Sequence, residues 1–207
     1  MEFDSEVQRD ETLRKLDLST TIRGEPARRR LPLVIVKGVS KDLASEDLVS
    51  VIRKQNPSVD AAAATGPLRV RFLRSNRRED LYNAVLECSP AVRLALLDLQ
   101  RVNADHQRVR VEDFSPFVQC YRCLQFGHTR AKCTSEASPC SHCGSGDHQR
   151  EACPDKQDSS KVRCYNCSLD AAKHKRPESA LKHSATDQKK CPRIKGVLRS
   201  IEQQTEY

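Results

Sequence analysis

Apolar and polar positions change rhythm several times between Leu31 and Phe114, and each change predicts an element. Leu33-Val34-Ile35-Val36 is a continuous apolar run, the pattern of a central strand covered by helices on one face and only partly exposed on the other. Leu48, Val51 and Ile52 then repeat at helical spacing. Ser45 is placed to cap that helix, Glu46 and Asp47 suit its positive end, and Asn56-Pro57 stops it. Arg69-Val70-Arg71-Phe72 alternates as a strand, Ser75-Asn76-Arg77-Arg78 can turn, and Tyr82 to Cys88 reads as the return strand. Ser89-Pro90 opens a second helix with Val92, Leu96 and Leu99 along one face, and Arg108-Val109-Arg110-Val111 closes the series as another alternating strand.

The predicted order over residues 31–114 is strand-helix-strand-strand-helix-strand, an α+β fold of ferredoxin-like βαββαβ plan, which RNA-recognition motifs share. That plan centres the first and third strands and leaves the second and fourth at the edges. Arg69, Arg71, Arg108 and Arg110 then fall on the open sheet face as candidate nucleic-acid contacts. Recognition motifs stack bases on aromatics of the central strands, and those positions here offer Leu, Ile, Asn and Val. RNA binding and self-association through this domain therefore both stand as readings.

With 207 residues, no tryptophan, 4% aromatics and 31% charge, the chain has material for about one compact domain plus polar appendages. No apolar run is long enough to cross a membrane. Residues 1–30 hold seven basic and seven acidic side chains and are expected to be a disordered polar segment. Of the formal net charge of +8, nearly all lies in residues 115–195, with 15 basic side chains against eight acidic.

The cysteines change the picture. Cys120-Cys123-His128-Cys133 and Cys140-Cys143-His148-Cys153 repeat the spacing Cys-x2-Cys-x4-His-x4-Cys, that of tandem CCHC zinc knuckles over residues 118–135 and 138–155. A two-residue gap lets one tight turn aim two sulfurs at an ion, and four filled positions suit a structural zinc rather than a catalytic one. A variant third site spans residues 162–193: Cys164 and Cys167 open it, Cys191 closes it, and His183 or His174 supplies the fourth ligand, with His183 preferred here. Its long insertion adds only about 1 kcal/mol of loop-closure entropy. Three zinc ions are expected, residues 194–207 are left as a tail, and Cys88 alone falls outside the sets.

Competing chemistries fit less well. The acidic start Met-Glu-Phe-Asp-Ser-Glu reads as no secretory leader, which argues against a disulfide framework. Thiol redox chemistry does not explain the histidines. Pro139-Cys140-Ser141-His142-Cys143 matches half of a zinc-deaminase signature, but no His-x-Glu precedes it. His142 is expected to be exposed, and no enzyme is indicated.

Around the first knuckle, Tyr121 and Phe126 are candidate stacking rings, and Arg122, Arg130 and Lys132 candidate phosphate contacts; Tyr165 is a further candidate in the third. The second knuckle has Ser141 and Gly146 where the first has Tyr121 and Phe126, so it offers no stacking platform. Three thiolates and a neutral imidazole leave each zinc site at −1, which discounts the regional charge but leaves it positive.

A recognition-motif-like domain ending Val-Arg-Val-Glu-Asp-Phe, followed by Cys-Tyr-Arg-Cys-Leu-Gln-Phe-Gly-His and two further knuckles, resembles the Gag-like first-open-reading-frame proteins of arthropod non-LTR retrotransposons, from about residue 31 to 193. The last site departs from the shorter family pattern. The resemblance implies zinc-dependent binding of single-stranded RNA or DNA, packaging of element RNA into a ribonucleoprotein, a reverse-transcriptase-bearing partner from the same element, and cytoplasmic or nuclear localisation. It also implies that residues 1–30 are a shortened start. Arg28-Arg29-Arg30 reads as a nuclear-import element or, more simply, as solvated linker charge. The alternative function is assembly: the sheet domain self-associates and the knuckles contact protein.

Overall fold

The computed structural model describes residues 6–17, 29–174 and 177–207, which divide into a short N-terminal unit and a compact unit spanning Leu31–Tyr207. In the first, α1 (Glu6–Asp17) is a charged helix where disorder was expected. Glu11 precedes Lys15 by one turn, and Arg14 and Lys15 lie at the negative helix end, so local electrostatics favour the helix. Arg28 of the basic run lies outside the described residues.

The second unit begins with β1 (Leu33–Ser40), α2 (Leu48–Gln55), α3 (Pro57–Ala63), β2 (Leu68–Ser75), β3 (Leu81–Cys88), α4 (Pro90–Leu99), β4 (Arg101–Ala104) and β5 (Gln107–Asp113). The strands form one five-stranded sheet in the order β2-β3-β1-β5-β4, and every neighbouring pair is antiparallel. The helices cover one face, and Val34, Val36, Leu48, Ile52, Leu86 and Leu96 form the centre of a fully buried core between the layers.

Four features differ from expectation. Ser45 caps nothing: α2 starts at Leu48, its flanking residue is Asp47, and no side chain caps it. Pro57 stops α2 but also begins α3, because proline suits a first helical position whose N–H would be unpaired anyway. The strand carrying Arg108 and Arg110 is not an edge, since β4 pairs with its outer side. Val102 and Ala104 of β4 are buried and alternate with exposed Arg101 and Asn103, a short alternation that belongs to the sheet. Ser89 caps α4 as expected, accepting a hydrogen bond from the Val92 amide at 3.4 Å.

The fourth difference is a bulge in β2. Val70 pairs with Leu86 and Phe72 with Val85, so Arg71 is an extra residue that shifts the alternation. Phe72 would otherwise face the helices; it lies instead on the open face, paired with Val85, which is paired in turn with Ile35.

Buried Asn56 ties the added strand to the helical layer. Its Nδ2 donates to the carbonyls of Ile52 at 2.7 Å and Asn103 at 2.8 Å, and its Oδ1 accepts from the Asn103 amide at 3.0 Å. Asn56→Ala is expected to cost about 2–3 kcal/mol in urea unfolding, because it strips partners from buried backbone groups. Metal content should not change.

Candidate functional site

The first two cysteine-histidine sets share the backbone bonds of their cysteine turns. The Leu124 amide donates to the Cys120 carbonyl at 2.9 Å and the Gly144 amide to that of Cys140 at 3.0 Å, while the amides of Cys133 and Cys153 each donate 3.2 Å to the carbonyl three residues back. Both turns need a positive φ after the second cysteine, 76° at Gly144 and 61° at Leu124. Leucine is disfavoured there. Its burial and two side-chain amides, Gln119 Nε2 at 2.9 Å and Asn166 Nδ2 at 2.7 Å on its carbonyl, hold Leu124 in place.

In the third set the long insertion is itself folded. α5 (Tyr165–His174) and a 3-10 turn (Glu178–Leu181) return the chain to His183, and Cys191 sits at the start of α6 (Pro192–Gln203). His183 is gathered with Cys164, Cys167 and Cys191, and all four are buried. The side chain of the alternative, His174, lies outside the described residues. Arg193 reaches Asp170 at 3.1 Å and braces α6 against α5. Residues 194–207, read as a tail, are therefore mostly helix, with Ile194 fully buried.

The donor atoms fit zinc. In each of the three sets all four ligand atoms lie within 4.8 Å of one another. A tetrahedral ion with Zn–S of about 2.3 Å and Zn–N of about 2.0–2.1 Å sets sulfur-sulfur edges of about 3.8 Å and sulfur-nitrogen edges of about 3.5 Å. The Cys191 Sγ lies 3.8 Å from that of Cys164 and 3.7 Å from that of Cys167, and Nε2 of His128, His148 and His183 lies 3.3, 3.3 and 3.4 Å from the sulfurs of Cys123, Cys143 and Cys167. Each set also contains a thiol biased towards thiolate. Burial pushes Cys120 up, but the amides of Cys123 and Arg122 and neighbouring thiols outweigh it and bring it to about 6. Cys140 is lowered in the same manner, and the Cys164 hydrogen bond leads in lowering Cys191 to about 5. Burial alone dominates at Cys88, outside the sets, and pushes it up to about 12.

The three sites are not separate beads. Leu124 of the first packs with Leu181, Ala185 and Ile194 of the third, and Phe117, Phe126 and Tyr165 cover the cluster. The Arg163 amide donates 2.7 Å to the His142 carbonyl and the Ala185 amide 3.1 Å to that of Ser141, docking the second site on the third. His142 is therefore buried rather than exposed, though it is no ligand: its Nε2 lies 3.1 Å from the Asp158 carbonyl oxygen.

This packing divides the candidate contacts. Tyr121 is 80% exposed, whereas Phe126, expected to be open, is half-buried against Phe117 with ring centres 5.9 Å apart. Tyr165 is half-buried in the same cluster. Arg130 and Lys132 are exposed on one 3-10 turn, and Arg122 is half-buried. On the sheet, Glu87 takes Arg69 at 2.8 Å and Arg71 at 3.8 Å, and Glu112 takes Arg110 at 2.9 Å together with Lys37. Arg108 is exposed on β5. The sequence reading passed over Phe72, Arg74 and Phe114, whose grouping depends on the β2 bulge.

Comparison of the chain with family models, curated proteins and solved structures finds no match. No helix among the described residues is long and apolar enough to cross a membrane.

Native mass spectrometry should find three zinc ions per chain, and two in His183→Ala. Because the third site supports the first, His183→Ala should also speed amide exchange around Leu124. After chelation, nine cysteines should alkylate quickly while Cys88 stays protected until denaturant is added.

Proposed function

We propose that this protein binds single-stranded nucleic acid through a zinc-held module and belongs with the Gag-like, RNA-packaging proteins of non-LTR retroelements. The observation that carries the reading is the set of three closed cysteine-histidine sites with tetrahedral edges, in a region of 15 basic against eight acidic side chains, with Tyr121, Arg130 and Lys132 of the first site all exposed. A saturated zinc does no chemistry on a substrate. It stabilises the fold that presents the ring and the cations. The strand order β2-β3-β1-β5, with β4 as an addition, is compatible with a recognition-motif-like sheet, which supports reading the sheet as a second surface for the same ligand. In this reading the protein coats the RNA of its own element and accompanies reverse transcription.

One observation favours assembly instead: edge strand β2 exposes Phe72 and Leu73, at 43% and 47%, beside unpaired backbone. Oligouridine binding to the zinc-loaded chain separates the two. Affinity should fall linearly in log–log form with salt, with a slope of about −2 to −4 for three to five phosphate contacts, and chelation should abolish it. Tyr121→Ala should keep its zinc and lose about 1–3 kcal/mol of binding. Phe126 is unsuitable for this test, since its ring also packs under the third site. A chain that sediments as a stable oligomer and does not bind oligouridine would establish the assembly reading in its place.

A further inference from the structure

Between the open sheet face and the first zinc site runs a groove of about 530 Å³, within the usual range of small-ligand sites. Phe72 of β2 and Phe114, just after β5, meet edge to face with centres 5.9 Å apart and line it from the sheet; Tyr121 lines it from the first zinc site. The Arg74 guanidinium lies 5.8 Å from the centre of the Phe114 ring, and Arg130 of the first zinc site lines the groove as well. Hydroxyls of Ser115 and Thr129 complete the polar part.

We propose that this groove seats unpaired bases of single-stranded RNA, with Phe72, Phe114 and Tyr121 as stacking surfaces and Arg74 and Arg130 on the flanking phosphates. The inference rests on the nucleic-acid reading above and adds a site joining sheet and zinc module. Charge complementarity identifies the occupant: two arginines line the groove, and no aspartate or glutamate is among the lining residues. Aromatic faces between cations are the combination a single strand needs, because every base has a face to stack and every linkage a negative charge. Ser115 and Thr129 add donors and acceptors suited to a ribose 2′-hydroxyl. The position is set by the bulge at Arg71, which turns Phe72 out of the helix-covered core. The aromatic contact thus lies off the central strands.

The test uses the full zinc-loaded chain and a labelled short oligouridine. Phe72→Ala should weaken binding roughly 5- to 150-fold, one stack's worth, with zinc content unchanged. Phe72→Tyr should bind like the parent, and Arg74→Ala should make the salt slope shallower. The chain has no tryptophan, so Phe72→Trp gives a single tryptophan, excitable apart from the four tyrosines, whose fluorescence should be quenched by the oligonucleotide. If the parent binds while Phe72→Ala and Arg74→Ala bind equally well and the Phe72→Trp emission does not change, the groove is not the seat and the broader reading stands. A parent that does not bind overturns both. If Phe72→Ala dissociates an oligomer and leaves RNA affinity intact, the groove is a contact between copies of this chain and the inference is wrong.

Discussion

After Phe114 the chain has little hydrophobic core, and three cysteine-histidine sets with the geometry of metal sites stand where one would be. The apolar cluster there is small: Leu124, Leu181, Ala185 and Ile194 with the three cysteines of the third site, ringed by partly buried side chains. Such a cluster cannot by itself order some ninety residues of mostly polar chain, and each structural zinc contributes on the order of 10–16 kcal/mol once its ligands are assembled. The third site matters most because it is the most enclosed. Its neighbours rest on it from both sides, the first through Asn166 and Leu124 and the second through Ser141, His142 and Ala185. A metal held at Cys191 would therefore stiffen the first site as well, through Asn166 and Leu124.

The ligands were legible because zinc imposes local spacing, and spacing is what a sequence displays. The third site was legible in its ligands but not in its burial. The pairing of Asn166 with Leu124 spans 42 residues and leaves no local trace. In the sheet, the strands around Val36, Phe72, Val85 and Val109 announced themselves by run or alternation. β4 did not, since four residues with two small buried side chains, Val102 and Ala104, look like the end of a connection until β5 pairs with them. Ser45 misled because capping chemistry recurs in turns, and here the chain makes a turn before the helix begins.

The bulge at Arg71 shows the limit of periodicity. Alternation assigns faces only if each residue advances the strand by one step, and an unpaired residue reverses every assignment beyond it. Arg69 and Val70 lie as alternation predicts; Phe72, Leu73 and Arg74 lie on the opposite faces. That reversal moves one aromatic side chain from a core that is already full to a face whose central strands offer none.

The same reversal redistributes charge. Of the four arginines found by alternation, Arg69, Arg71 and Arg110 are held by Glu87 and Glu112, so most of the cations at the centre of the open face are partnered although they outnumber the acids. These pairs are exposed and individually weak, and a phosphate can compete for them, but each exchange must also release a carboxylate. Arg74 and Arg130 line an acid-free groove and carry no such penalty. Each cysteine-histidine set would carry −1 once zinc is bound, which offsets part of the positive charge at the seam without adding a carboxylate to the groove. A polyanion at the seam between sheet and zinc module therefore displaces no carboxylate, as it would at the middle of the sheet, and there it meets the rings of Phe72, Phe114 and Tyr121.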